Sequence, residues 1–437
     1  MRYILKYILI IIPTLLFSQE NISLKESIQI GLKQNYDILI SEKQRDINNI
    51  NNNWANAGAL PQVNINTTLE RNISDQSNNP TSFIQEILKS DAISSSANIN
   101  WTLFNGFAIQ SNKERLNQLE KLSEGNLTLV IENTIQTIIL SYYNCILQQE
   151  KLNLLEDIVA LSKERFLYEQ TKNKIGISNI LEFLQIENSL LTDSANLIMQ
   201  KLNLSNSIKN FNLIIGVELE KKWNFISEIN HEIQLYDYHS LLNKTFAKNS
   251  NILNQYINIE IAKQEMQLSK SNFYPNLSLN SGAIYNQNNY DLGDYEYNGS
   301  STGRSLNYFT NLTLSLRLFD GGKLYSKIKH HKKQIEKNEI ELEKIKKNIA
   351  NDLSKKLAEY NSQIQIYNIN KRAFEISETN YKLAIEKHKI GSINSFDLRD
   401  VEISYINSGI SFLQSSYNLI DSKISLSKIT GGIIQEH

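Results

Sequence analysis

The sequence is poor in the residues that build disulfides, chain breaks and membrane-spanning helices. Cys145 is the only cysteine among 437 residues, so neither an internal disulfide nor a cysteine-rich metal cluster can form. Four prolines leave long stretches without a helix breaker. Beyond the N-terminus, no apolar run reaches the roughly 18 residues that a spanning helix requires. If the chain enters a membrane, strands must cross it.

The charge balance and the histidine spacing give no indication of a nucleic-acid partner, a metal site or enzymatic activity. Lys and Arg number 45 against 46 Asp and Glu, so the composition indicates no nucleic-acid partner. The six histidines lack ligand spacing, and no Gly-rich phosphate loop or nucleophile motif is present. We therefore expect no metal, no cofactor and no enzymatic activity.

The first 18 residues have the pattern of a secretory signal. Arg2 and Lys6 precede an apolar run of about a dozen residues, which is too short to span a bilayer. Cleavage is expected near Ser18 or Gln19. Because no cysteine lies at this position, we expect no lipid anchor.

The remaining sequence contains an internal repeat, in which the second half follows the pattern of the first. Lys174-Ile175-Gly176 recurs as Lys389-Ile390-Gly391, with an asparagine three residues after each glycine and an acid six residues after it. The two glycines lie 215 positions apart, and the segment 103–106 recurs as 318–321 at the same offset. Such duplication is typical of a symmetric tube and is rarely needed by an enzyme.

The repeat predicts the domain organisation. Each copy contains a helix, a strand hairpin, a long helix, a turn at Gly176 or Gly391, and a return helix. The predicted segments are a signal peptide at 1–18, a first repeat at 19–216 with its hairpin at 61–104, a linker or equatorial segment at 217–236, and a second repeat at 237–437 with its hairpin at 275–319.

Two kinds of apolar periodicity support these elements. Residues 61–71, 96–104, 275–285 and 308–319 alternate between apolar and polar side chains and predict strands, joined by loops at 72–95 and 286–307. The stretches 107–174 and 322–388 carry apolar residues at steps of three, four or seven, which predicts helices packed along a seam. Helices are also expected at 22–57, 182–213 and 240–271. Each long helix would extend roughly 100 Å.

Four strands of this length suit an outer bilayer but cannot close a barrel, and lipid does not tolerate open edges. Several chains must therefore pool their strands, and three chains would supply twelve strands and twelve helical columns. The predicted fold is mainly α with membrane β.

This duplicated plan, with its Leu-Phe-Asn/Asp-Gly strand ends and Lys-Ile-Gly hairpins, resembles the TolC family of outer-membrane efflux proteins over nearly the whole mature chain. The resemblance implies a homotrimer with a 12-stranded β-barrel in the outer membrane, continuous with a 12-helix periplasmic α-barrel. It also implies an exit duct of a tripartite efflux or type I secretion system. Its partners would be a periplasmic adaptor (membrane fusion) protein and an inner-membrane RND or ABC pump.

The same resemblance suggests acids at the narrow entrance. In the family, acids six and nine residues after the second-repeat glycine ring the pore, and here they are Asp397 and Asp400. Asp397, and Glu182 in the first repeat, also stand where an acid stabilises a helix start after an asparagine cap, so capping and a pore role both stay open. Asp400 lies beyond the first turn, and a pore ring competes there with an ordinary solvated face.

The hairpin turns are the expected adaptor contacts. Gly176 and Gly391 suit left-handed turns, and Lys174 and Lys389 favour the carbonyl ends of the preceding helices. The alternative class is a trimeric coiled-coil surface fibre or adhesin, which would not need matched strand hairpins. The sequence names neither the cargo nor the pump.

Overall fold

A computed structural model describes residues 20–177, 179–226, 233–291 and 301–436. The predicted signal peptide lies outside the described residues, as do the centres of the predicted linker and of the second strand loop. The chain divides into two compact units. The first takes residues up to Ser41, residues 128–250 and residues from Lys346 onward, and the second takes 42–127 and 251–345. Each unit therefore draws on both sequence repeats.

The first half of the chain follows the predicted order of elements. Its elements are β1 Glu20–Ile22, α1 Leu24–Gln34, α2 Tyr36–Asn51, α3 Trp54–Ala57, β2 Gln62–Asp75, β3 Ile87–Asn105, α4 Ala108–Lys174, α5 Ile180–Ile215 and β4 Trp223–Phe225.

The second half repeats it. Its elements are α6 Tyr238–Lys248, α7 Ser250–Lys270, β5 Asn276–Asp291, β6 Ser301–Ser315, α8 Lys323–Lys389, α9 Ser395–Ile429 and α10 Ile433–Glu436. Both long helices, α4 and α8, have 67 residues.

The predicted single helices at 22–57 and 240–271 are each interrupted by an asparagine. Asn35 ends α1, and its side-chain oxygen accepts the N–H groups of Asp37 and Ile38 at 2.9 and 3.2 Å, which starts α2. Its side-chain nitrogen donates to the Ile214 carbonyl at 2.8 Å, at the end of α5. In the second repeat, Asn249 ends α6 and donates to the Ile429 carbonyl at 3.0 Å. A local side-chain bond thus competes with the helix at equivalent places.

The strand boundaries differ from the prediction in two ways. The first hairpin extends into the predicted loop at 72–95 and leaves only residues 76–86 between its strands, because antiparallel pairing continues from Arg71↔Asp91 to Asp75↔Ile87. Likewise β5 runs on to Asp291 and β6 begins at Ser301. The predicted strand end at 316–319 is wrong. The ladder stops at the pair Asn276↔Ser315, so residues after Ser315 have no strand opposite them.

The four long strands form one antiparallel sheet in the order β2-β3-β5-β6. Its central pair, β3 with β5, joins the two repeats, with one bulge between Thr102 and Phe104. β2 and β6 are the edges, and each has a partner on one side only. The second sheet is a short parallel pair in which Glu20–Ile22 lies beside Trp223–Phe225, so part of the predicted linker is a strand.

The core of the first unit is the duplicated seam. Ile138, Tyr142 and Cys145 are fully buried, and so are Leu353 and Tyr360 in the second repeat. Between α8 and α9, rings from the two helices stack alternately, with Phe374 lying 5.6 Å from both Tyr405 and Phe412 between ring centroids.

Within the described ranges, no helix is both long enough and apolar enough to cross a bilayer.

Candidate functional site

Both helical hairpins of the first unit turn through a left-handed glycine. Gly176 has φ 77° and Gly391 has φ 72°, each two residues after the last residue of α4 or α8. In each turn the residue after the glycine donates its N–H to a carbonyl five residues earlier, at 3.1 Å for Ile177 and 2.8 Å for Ser392. This is the Schellman arrangement, which requires a positive φ at the glycine. Sequence reasoning placed both turns correctly.

The lysines at these turns are exposed at the carbonyl ends of their helices. Lys174 is the last residue of α4, and Lys389 is the last residue of α8, where its Nζ lies 3.0 Å from Glu386. A cation there is stabilised by the helix dipole. No contact in the described chain assigns either lysine or either glycine a further role.

The return helices start on asparagine caps. Asn179 accepts the Leu181 N–H at 3.0 Å, and Asn394 accepts the N–H groups of Phe396 and Asp397 at 2.9 Å. Asp397 therefore lies in the first turn of α9, as the capping interpretation expects. Its carboxylate is exposed and borders a groove that Lys387 also lines, so a cap and a pore role are both compatible with its position.

Glu182 and Asp400 occupy different surroundings. Glu182 accepts a hydrogen bond from Ser395, so it links the start of α5 to the start of α9. Ser395 also lies 3.1 Å from the His388 ring. Asp400 is exposed, and its carboxylate has no side-chain partner in the described part of the chain.

A buried ionic network, which sequence reasoning missed, lies further along the same helices. Arg399 donates two hydrogen bonds of 2.8 Å to Asp193 and one of 2.9 Å to Glu402. Glu402 also accepts hydrogen bonds from Arg165 and, at 3.2 Å, from Tyr381. The side chains of Arg399, Asp193 and Glu402 are only 13%, 3% and 0% exposed. Two cations and two carboxylates thus join α4, α5 and α9, and the Tyr381 hydroxyl connects α8 to them.

A signal for this network was present in the sequence. Asp193 follows Ile186 by seven residues, and Glu402 stands between Leu398 and Tyr405 at steps of four and three. These are seam positions, which normally hold apolar residues. A charge at a seam position indicates a buried partner, and Arg399 is that partner.

The surroundings shift several pKa values. Burial opposes the charge on Arg399, but hydrogen bonds to Asp193 and Glu402 outweigh it and raise the pKa of the guanidinium. Burial, and then the charge of Glu402, raises the pKa of Tyr381. Burial, and then the nearby Arg165, lowers the pKa of His388. Burial raises the pKa of the Cys145 thiol to about 12, so this thiol is unreactive.

The large sheet has two chemically distinct faces. Register places the odd-numbered residues of β2, β5 and, up to its bulge, β3 on one side, together with the even-numbered residues of β6. We name this side the apolar face. Its members include Val63, Ile65, Leu69, Ile93, Ala97, Ile99, Trp101, Leu277, Leu279, Ala283, Tyr285, Leu306, Tyr308, Leu312 and Leu314.

The apolar face is exposed rather than packed on a core. Ile65 is 79% exposed and Leu314 is 68% exposed. Two pairs of Ser and Thr hydroxyls on this face satisfy each other, since Thr67 lies 3.1 Å from Ser95 and Ser281 lies 2.9 Å from Thr310 between side-chain oxygens. Paired hydroxyls on an exposed apolar surface are what a lipid environment demands.

The opposite side carries amides and hydroxyls, and we name it the amide face. One row of four partnered positions reads Gln62, Asn100, Asn280 and Asn311. Both faces of β2 and β6 are exposed almost throughout. The sheet therefore separates two media instead of covering a core.

Two edge helices of the first unit carry apolar seams without a partner in the described chain. On α5 the seam is Leu184, Leu191 and Ile198, and on α8 it is Ile369, Ile376 and Leu383, continued by Ile390 just after the helix ends. Successive members are seven residues apart, and each is about half exposed or more. Such heptads are the pattern of a helix that packs along another helix.

No group of three or more His, Cys, Asp and Glu side chains in the described segments could hold a metal ion.

Comparisons with known proteins agree with this geometry. The sequence matches the outer membrane efflux protein family over residues 28–217 and 241–432, one match for each repeat. A comparison with curated protein sequences finds no match.

Several solved structures share the fold. The CmeC outer membrane channel of Campylobacter jejuni superimposes with a TM-score of 0.76 at 17% identity, covering 94% of this chain and 85% of that one. The outer membrane protein VceC of Vibrio cholerae gives 0.70 at 13% identity, covering 94% and 96%. The open-state MtrE outer membrane channel of Neisseria gonorrhoeae gives 0.70 at 16% identity, covering 94% and 89%. Nothing in these comparisons supports a surface fibre.

Proposed function

The chain belongs to the outer membrane efflux protein family and is an outer-membrane efflux channel that reaches into the periplasm, and we propose that it works as a homotrimer. The family is one of channels, not enzymes. In the proposed trimer, twelve strands close a barrel in the outer membrane and the helical columns of three chains form the periplasmic tube.

The unpartnered edges carry this proposal. β2 and β6 each leave one side of the ladder open, and an open edge is not stable in lipid. The exposed heptads of α5 and α8 likewise have no apolar partner within the described part of the first unit. Pairing β6 with β2 and α8 with α5 of the next copy would satisfy both kinds of edge.

Oligomer mass tests the trimer. Purified channel in detergent should have the mass of three chains by light scattering, whereas Ile369→Lys with Ile376→Lys should yield monomers. Lys371→Glu lies on the same helix but off the seam and should remain trimeric. A seam variant that still forms trimers would overturn the proposed α8–α5 pairing.

We further propose that the hairpin turns dock a periplasmic adaptor protein, which connects the channel to an inner-membrane RND or ABC pump. Gly176 and Gly391 are exposed, with nothing within 4 Å of the Cβ that a substitution would add. Lys174, Lys389 and the exposed Ile175 and Ile390 flank them. A charged rim with exposed apolar side chains suits a helical partner.

Copurification tests this docking. An adaptor from the same organism should copurify with the wild-type channel, and Lys389→Glu should weaken the association while conductance persists. Lys371→Glu, away from the turn, is the matched control.

We assign the pore entrance to Asp400, with Asp397 and Glu182 beside it. Asp400 has an exposed carboxylate without a side-chain partner in the described chain, so its oxygens are accessible to passing ions. Three copies around an axis would repel one another and favour cations. The bond between Glu182 and Ser395 would hold the two hairpins together at this entrance.

A further inference from the structure

We propose that the strand part of the channel does not select its cargo by charge. It passes polar solutes of either sign, zwitterions included. The inference rests on the proposed trimeric channel, in which the apolar face meets lipid and the amide face lines the lumen. It assigns any charge selection to the helical hairpin ends.

The amide face is almost free of charge. Its described members are the even-numbered residues of β2 and β5, those of β3 up to the bulge together with Asn105 beyond it, and the odd-numbered residues of β6. Glu70 is the one ionisable side chain among them apart from the phenol of Tyr290.

This neutrality is not a general poverty of charge in the strands. Arg71, Lys89, Asp91, Asp291 and Arg304 all belong to the same four strands, and register places every one of them on the apolar-face side. They gather beyond Leu69 and Ile93, where the apolar band ends. Arg71 and Asp91 form a two-point ion pair with distances of 2.7 and 2.8 Å. The sheet therefore sorts its charges away from the amide face.

The row Gln62–Asn100–Asn280–Asn311 shows what replaces charge. A carboxamide offers both donors and acceptors, so it can solvate an anion, a cation or a neutral polar group. Its dipole imposes no net field along the pore. Ser94 donating to Asn286 at 2.8 Å and Asn98 donating to Ser96 at 3.0 Å show the same two-sided chemistry elsewhere on this face.

The single carboxylate has a short reach. At physiological ionic strength, exposed charges are screened over about 8 Å, so Glu70 acts only on ions that pass close to it. Three such groups in a trimer would leave most of the luminal surface of the sheet at a neutral potential.

Cysteine labelling tests the inference directly. Asn280→Cys in the assembled channel should react with a cationic and an anionic methanethiosulfonate reagent at rates that agree within about threefold after correction for reactivity towards a free thiol. Ser281→Cys, the adjacent position on the apolar face, should react with neither. The buried Cys145 provides no background.

Measurements of ion current provide a second test of the inference. Under a KCl gradient across a planar bilayer, Glu70→Gln should leave the reversal potential unchanged. A rate ratio above about tenfold at Asn280→Cys, or a reversal potential shifted by Glu70→Gln, would overturn the inference. A preparation that conducts no ions would instead contradict the channel itself.

Discussion

The amide face of the sheet and the hairpin ends of the first unit are both polar, but they use polarity in opposite ways. The amide face is exposed without a core against it and carries neutral side chains except Glu70, while the other charged side chains of the strands lie on the opposite face. At the hairpins, charges are abundant, some buried in a network around Arg399 and others exposed, such as Asp400. Charge in this chain fastens helices together, and hydrogen-bonding amides line the sheet.

Breaking the buried network should have the largest effect in this comparison. Arg399→Met leaves Asp193 and Glu402 buried without their shared cation, and losing one partner of a buried pair costs about 3–5 kcal/mol. Urea unfolding of the first unit, followed by circular dichroism, measures the loss. Arg372→Met removes an exposed pair with Glu375 and should cost at most about 1 kcal/mol. Equal losses in the two variants would contradict a structural role for the network.

Overpacking the sheet should have the next largest effect. A Cβ at Gly282 would collide with the Ala97 carbonyl of the neighbouring strand, so Gly282→Ala should destabilise the channel by about 1–3 kcal/mol. Gly303→Ala is the matched control, because nothing lies within 4 Å of its added Cβ. Heat-dependent loss of the folded band in semi-native gels measures both. A tolerated Gly282→Ala would show that the β3–β5 pairing at the centre of the sheet is looser than described.

A smaller effect is expected from a change of pH at the hairpins. Burial lowers the pKa of His388 in the folded chain, so below the ordinary value of about 6.5 the unfolded chain binds more protons than the folded one. Stability of this end should therefore fall as the pH drops through about 6.5. Arg165 and Lys172 reinforce the shift, and Glu169 and Glu182 oppose it.

Hydrogen exchange measures this pH effect. Amides at 388–398 should exchange faster at low pH, after correction for the intrinsic rate, while those of 276–286 should not. His388→Gln should remove the dependence, and an unchanged dependence in that variant would exclude His388 as its source.

The smallest change in stability, but a clear change in function, is expected at Asp400. Its exposed carboxylate has no side-chain partner in the described chain, so Asp400→Asn should change the free energy of unfolding by less than about 0.5 kcal/mol. Cation preference in planar bilayers should nevertheless decrease. Gln185→Glu, at the equivalent position of the first repeat, should increase it if both repeats face the pore. An unchanged cation preference after Asp400→Asn would contradict the proposed ring of Asp400 carboxylates at the pore entrance.

Elements with strong periodicity were predictable, and side-chain networks were not. The seam spacing gave α4 and α8 to within about a residue, and the two glycines fixed the turns. Loop-like composition hid the outer ends of the strands, since pairing across β2 and β3 outweighs the low strand propensity of Asn, Asp and Ser. The breaks at Asn35 and Asn249 depend on carbonyls about 180 residues away, which no local pattern reveals.

Those two asparagines bear on the ancestry of the molecule. Each side chain donates a hydrogen bond that connects the opening helices of its own repeat to the end of that repeat's return helix. Neither of these two bonds joins one repeat to the other. A protein of half the length would already possess the closure. Six such half-length subunits would supply as many strands and helices as three full chains. Fusion of two gene copies would then halve the number of chains to be assembled without requiring a new contact between the repeats.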